Sequence, residues 1–237
     1  VNPTFHTGSM GWGARRSVTN FVYNHVGHFA AAGEATCKSL FMAGVTRRFP
    51  QLRFAFLEGG VAWGCTLLSD LLAHWEKRNA EAYGEYDPAR VDRELLVRLY
   101  REHGQPQVQA RLQALIDGWA VRGDRIDDEY SRDEFAACGI TSKRGVVERF
   151  VPSFYFGCEA EDPMNAWAFS QETNPFGTKL NAIFGSDIGH WDVPEMDAVL
   201  PEAWEPVAQG RISEADFCDF VFANPVALWT GSNPRFF

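Results

Sequence analysis

Four short runs of apolar and aromatic residues, spaced so that helical patterns fill the gaps, constrain this chain more than any other feature. The runs are Pro3–His6, Arg53–Leu57, Phe154–Phe156 and Ala182–Phe184, and each stops at a polar or glycine-containing turn. Strands that alternate with helices call for an α/β fold with a parallel sheet, because parallel neighbours need a long crossover between them. A helix is expected from about Phe29 to Arg48, Ala-rich, with Leu40, Phe41 and Val45 on its buried face. Arg47 and Arg48 suit the negative end of its dipole, and Pro50 stops it. After Glu58-Gly59-Gly60, the residues Trp63, Leu67, Leu68, Leu71, Leu72 and Trp75 recur at helical spacing and complete one βαβα passage.

The charged segment from about 78 to 149 is too long for a simple connection. Val91, Leu95, Leu96, Leu99, Leu112, Leu115 and Ile116 read as helices, so it is expected to be a helical insertion that serves as a lid or an oligomer contact. Near the end, Ser213-Glu-Ala-Asp216 has the form of a capping box, with Ile212 and Phe217 at the staple positions. Asn224-Pro225 supplies a cap and first-turn proline for a last short helix, closed by Gly231. No repeat or flexible linker interrupts the chain, so residues 1–237 read as a single domain.

With 237 residues, 46% of them hydrophobic and 22% charged, the chain can bury one sizeable core. Its net charge of -9 repels phosphate backbones and anionic lipid, which argues against nucleic acid and membrane partners. No stretch approaches the roughly 20 apolar residues of a membrane span, and Val1–Phe5 lacks the features of a signal peptide, so the chain reads as cytoplasmic. Its five cysteines form no Cys-x-x-Cys pair and are expected to be reduced and mostly buried.

Catalytic side chains in parallel α/β folds sit just past the carboxyl ends of strands. His6, Glu58 and Asp187 hold those positions here. An imidazole and a carboxylate from separate strands can converge on one divalent ion, although a catalytic site normally needs three protein ligands. Taken singly, His6 also reads as a hydrogen-bonded core histidine and Asp187 as a cap. Other candidates surround these three. His25 and His28 are three residues apart, with Gly27 between them; His190 lies in a Gly-His-Trp-Asp loop; Trp12, Arg15 and Arg16 follow the first strand; Glu159 and Glu161 follow the third. His25, His190, Trp12 and Arg15 are read as substrate-binding, with Trp12 as an aromatic wall and Arg15 as a cation for an acidic group.

Phe5-His6-Thr7, Arg48-Phe-Pro-Gln-Leu-Arg-Phe-Ala-Phe-Leu-Glu-Gly-Gly60 and Phe184-Gly-Ser-Asp-Ile-Gly189 resemble, in order, the fifth, sixth and eighth strand regions of the amidohydrolase-related family that includes aminocarboxymuconate semialdehyde decarboxylase. The resemblance implies a (β/α)₈ barrel, of which this chain holds the C-terminal half, about four strands. It implies a divalent metal, commonly zinc, with Mn or Fe also suited, bound by His6 and Asp187. Two further ligands are expected from a His-x-His in an N-terminal half, since this chain contains none. Glu58 stands where decarboxylase-like members carry a His, so it is expected to act as acid/base, with metal ligation and a structural role as alternatives. The implied activity is metal-dependent hydrolysis of a small organic substrate by activated water, in a chain able to form homo-oligomers. Non-oxidative decarboxylation, or a non-catalytic half-barrel used for binding or assembly, are the alternatives.

Overall fold

In the computed structural model, residues 2–6, 17–87, 90–123 and 133–237 are described. Four strands, β1 (Thr4–Phe5), β2 (Phe54–Phe56), β3 (Phe154–Cys158) and β4 (Asn181–Phe184), form one sheet in the order β1-β2-β3-β4. All three pairings are parallel. Consecutive parallel strands in sequential order form an α/β architecture compatible with half of a barrel.

The helices that join these strands cover one face of the sheet. From β1 the chain passes through α1 (Phe21–His25), α2 (His28–Met42) and α3 (Val45–Arg48) to β2. The single helix expected from Phe29 to Arg48 is therefore broken. Gly44 takes a φ of 67°, a left-handed conformation that suits glycine, and Cys138 lies 3.6 Å from where its Cβ would stand. After β2, α4 (Ala62–Arg78) carries Leu67, Leu68, Leu71 and Leu72 into the core. Gly64 lets it approach closely, since a Cβ there would stand 2.4 Å from Cε1 of Phe156.

The stretch read as an insertion contains α5 (Ala80–Tyr86), α6 (Arg93–His103), α7 (Pro106–Gln109), α8 (Leu112–Gly123), α9 (Glu134–Ala137) and α10 (Lys143–Phe150). Its last helix belongs to the sheet. Val146, Val147 and Phe150 are buried, and the Phe150 ring lies 5.0 Å from Phe154 and 5.9 Å from Phe41. By contrast α6 buries no residue and leaves Val91, Leu95 and Leu99 exposed nearby.

Alternation along each strand sorts side chains between two faces. Phe5, Phe54, Phe56, Phe154 and Phe156 meet the helices as a continuous aromatic layer, with centroids 5.2 Å apart for Phe5–Phe56 and 6.5 Å for Phe56–Phe156. Ala55, Tyr155 and Ile183 point the other way and pack with Leu228 and Trp229.

Leu228 and Trp229 belong to the C-terminal segment. After α11 (Val199–Ala208), the capping box forms as expected, with the Ser213 hydroxyl accepting from the Asp216 amide and the Asp216 carboxylate accepting from the Ser213 amide, and starts α12 (Glu214–Cys218). A π-helical turn, Asp219–Ala223, then runs into α13 (Asn224–Thr230). Asn224 does not cap α13 as expected: the chain is already helical there, and its side-chain amide donates to the Ala182 carbonyl at 2.9 Å, tying the helix to β4. Four cysteines are buried, while Cys218 is exposed. No helix among the described residues is long and apolar enough to cross a membrane.

Candidate active site at the strand ends

Parallel strands in close register finish at nearly the same level, so the residues after them collect at one end of the sheet. His6 follows β1, Glu58 comes two residues after β2, Glu159 follows β3 and Asp187 comes three after β4. The turns are tied together by backbone bonds, from the Gly60 amide to the Gly157 carbonyl (3.1 Å) and from the Gly185 amide to the Cys158 carbonyl (2.9 Å). Glu58 and Asp187 adopt left-handed backbone with φ of 56° and 48°. That conformation is strained for side chains other than Gly, Asn and Asp, and strain of this kind gathers where a side chain is aimed for function.

The structure pairs His6 with Glu58. His6 Nε2 donates to Glu58 Oε1 at 2.8 Å, and the edge of one ring meets the other where His6 packs on Phe29, 5.6 Å away. Asp187 is brought to His190 and Asp192. His190 Nδ1 lies 3.4 Å from Asp187 Oδ2 and donates to Asp192 Oδ1 at 2.9 Å. Among the described residues, Asp187, His190 and Asp192 are the group of three potential ligands whose atoms lie within 4.8 Å of one another. Of the two ligands implied by the resemblance, Asp187 is in that group and His6 is not. The donor set of two carboxylates and an imidazole suits a divalent cation, but two of its three members are exposed, which holds a cation loosely.

Two adjoining cavities open here. One of about 290 Å³ is bordered by Glu159, Glu161, Asp187, Asp192 and Val199, and one of about 350 Å³ by His25, Phe29, Glu58, Glu159 and Asp192. Glu159 and Asp192 border both. His25, at the end of α1, stands 4.1 Å from the ring of Phe21, which in turn faces exposed Trp191 at 6.3 Å. His28 is buried behind these groups, its ring 4.1 Å from Phe29 and its Nδ1 donating to the His25 carbonyl at 2.7 Å. Gly27, with φ of 70°, separates the two histidines in the chain. Trp12, Arg15 and Arg16 lie outside the described residues.

Crowded carboxylates resist ionisation together. Glu159 is raised from 4.5 to about 7, first because its carboxyl is partly desolvated, and then because Glu161, Asp187, Glu58 and Asp192 surround it. Solvent still reaches the Glu159 residue and moderates the effect. Asp187 is also raised, by desolvation first; His190 opposes the rise, and Glu58, Asp192 and Glu161 add to it. His190 is raised by its bond to Asp192 and by Asp187, while Asp192 is lowered by the same bond. The two shifts are those of an ion pair.

A raised carboxyl pKa has a definite consequence for stability. The folded chain holds the Glu159 proton more tightly than the unfolded chain, so this contribution is complete below about pH 4.5 and is lost as pH rises through about 7. Glu159→Gln is therefore expected to melt higher than the wild type at pH 8, with the gap closing toward pH 4.5. Melting curves across that range check it, and a gap independent of pH would refute the electrostatic account.

The strand-end positions of His6, Glu58 and Asp187 were legible in the sequence, but Asp192 was not singled out. Its signal was a position two residues from His190 in the same polar loop. No protein-family model, curated protein or solved structure matches the chain.

Proposed function

We propose that this chain is the C-terminal half of a (β/α)₈ barrel hydrolase of the amidohydrolase type, which takes a divalent metal, zinc or else Mn or Fe, at the strand-end cluster and acts on a small organic substrate. The observation that carries this reading is the collection of His6, Glu58, Glu159 and Asp187 past the carboxyl ends of four consecutive parallel strands, with three of the four bordering the paired cavities. Polar groups from separate strands gathered at that end are the arrangement that α/β folds use for catalysis. The resemblance of the strand regions to the amidohydrolase-related family supports the same reading.

A divalent ion at this cluster would supply Lewis acidity and lower the pKa of water. Asp187 and His190 would hold it, with Asp192 fixing the His190 ring through Nδ1. His6 holds Glu58 by its Oε1, which leaves Oε2 to take up and return a proton. His25 borders one cavity, and the exposed rings of Phe21 and Trp191 beside it offer an aromatic surface on which a substrate can rest.

Glu58→Gln tests the assignment, because glutamine keeps the shape and removes the proton acceptor. Turnover should be followed on a panel of small amides, esters and lactones, with carbon dioxide release from small carboxylic acids as the decarboxylase arm, and metal content measured in parallel. The expected result is a loss of about 10²–10⁴-fold in kcat with metal retained, the usual contribution of a general base. Loss of metal with activity would make Glu58 a ligand instead, and retention of both would refute either role.

A further inference from the structure

The opposite end of the sheet carries a third cavity, polar, that the proposed reaction does not use. It has a volume of about 370 Å³ and lies under the start of β3, bordered by Thr46, Thr141, Ser142, Gly145, Arg149 and Ser153. Ser142 caps α10, accepting from the Gly145 amide at 2.9 Å. The remaining first-turn amides of such a helix have no carbonyl to bond within it, and the dipole makes that end attractive to anions.

Thr46 gives this cavity a specific demand. The residue is only 2% exposed, and its hydroxyl has no hydrogen-bond partner among the described residues. Buried polar groups are almost always satisfied, so an orphan that borders a cavity points to a missing partner. Arg149 adds a second. Its Nη2 donates to the Gly139 carbonyl at 3.4 Å, while its buried Nε has no partner among the described residues. Arg47 approaches from the other side of Gly139, with its Cδ 2.6 Å from where a Cβ on that glycine would stand, and it donates to the Ala137 carbonyl. Glu148 is the carboxylate on the border, and it is drawn to Arg144, 3.4 Å away. Lys143 is paired with Glu76.

We propose that this cavity is a binding site for a small tetrahedral oxyanion, phosphate or a phosphate monoester, held by the Arg149 guanidinium, the Thr46 hydroxyl and the start of α10. A guanidinium with hydroxyls and free helix amides matches the donor-only chemistry that such an anion needs. Three hydroxyl residues besides Thr46, namely Thr141, Ser142 and Ser153, complete the border. The site is separate from the strand-end cluster, because Ser153 immediately precedes β3 and Glu159 immediately follows it.

Inorganic phosphate and glycerol phosphate are the probes, titrated into the full chain in EDTA so that no metal at the strand ends contributes. The expected result is saturable binding by calorimetry, with amide shifts at Thr141, Ser142 and Gly145 and none at Asp187 or Asp192. Tighter binding of glycerol phosphate assigns the site to a phosphorylated metabolite, and tighter inorganic phosphate to the free ion. Thr46→Val keeps the shape and removes the hydroxyl; it should weaken phosphate about tenfold, the value of one hydrogen bond to a charged group, while the phosphate-free protein melts no lower than wild type. Arg149→Gln should weaken it at least as much, and Glu58→Gln should leave it unchanged. Absence of saturable binding in the wild type, or equal binding by Thr46→Val, overturns the proposal and leaves a water-filled cavity.

Discussion

Asp187→Asn is expected to abolish divalent-ion binding and reduce turnover by more than a hundredfold while leaving the fold intact. The substitution removes a negative charge from a group that stands 3.4 Å from His190 and among the potential ligand atoms that lie within 4.8 Å of one another. An amide oxygen is a far weaker donor to a divalent ion than a carboxylate, and it contributes no charge to offset the ion. Asparagine is the right replacement because the backbone at 187 has φ of 48°, a conformation that Asn adopts as readily as Asp. Alanine there would add backbone strain and confuse loss of a ligand with loss of structure. Metal content after dialysis against limiting zinc or manganese, read beside the melting temperature, separates the two. If the variant binds metal as the wild type does, Asp187 is not a ligand.

The largest effect on stability is expected at Phe156. This ring is 1% exposed and sits among Phe56 at 6.5 Å, Trp63 at 5.0 Å and Phe150 at 6.3 Å. Phe156→Ala should cost about 3–5 kcal/mol, the sum of lost transfer energy and the cavity left behind. Against a total stability of about 5–15 kcal/mol for a typical domain, that can populate the unfolded state. Gly64 offers an internal control. A methyl at 64 clashes with the wild-type ring, whose Cζ would lie 2.6 Å away, but finds room once the ring is gone. Gly64→Ala should therefore destabilise the wild type by about 1–3 kcal/mol and the Phe156→Ala background by less. Denaturant unfolding of the four proteins gives the coupling directly, and strictly additive costs would mean that the helix and strand do not meet at this point.

The four strands were visible in the sequence because each is a short apolar run closed by a turn, and their burial requires it. Their ends moved by up to two residues, as with β3, which continues through Gly157 and Cys158 because both remain paired to β4. The break between α2 and α3 was less visible. Leu40, Phe41 and Val45 keep a helical spacing across it, and only Gly44 marked the interruption. The role of Asn224 was misread because an Asn-Pro pair looks the same whether it begins a helix or lies within a longer helical run. At the site, position after a strand singled out His6, Glu58 and Asp187, whereas the pairings His6–Glu58 and His190–Asp192 depend on how loops fold back. Spacing carries no information of that kind.

The left-handed backbone at Glu58 and Asp187 has a consequence for any attempt to engineer this protein. A screen that rewards heat resistance alone will favour glycine or asparagine at both positions, since either thins out the local negative charge and, at Glu58, also relaxes the backbone. On the proposed reading, variants enriched in that way would be hardier and chemically silent, and the pair of positions would then report, through what selection does to them, whether this end of the sheet is kept for work rather than for stability.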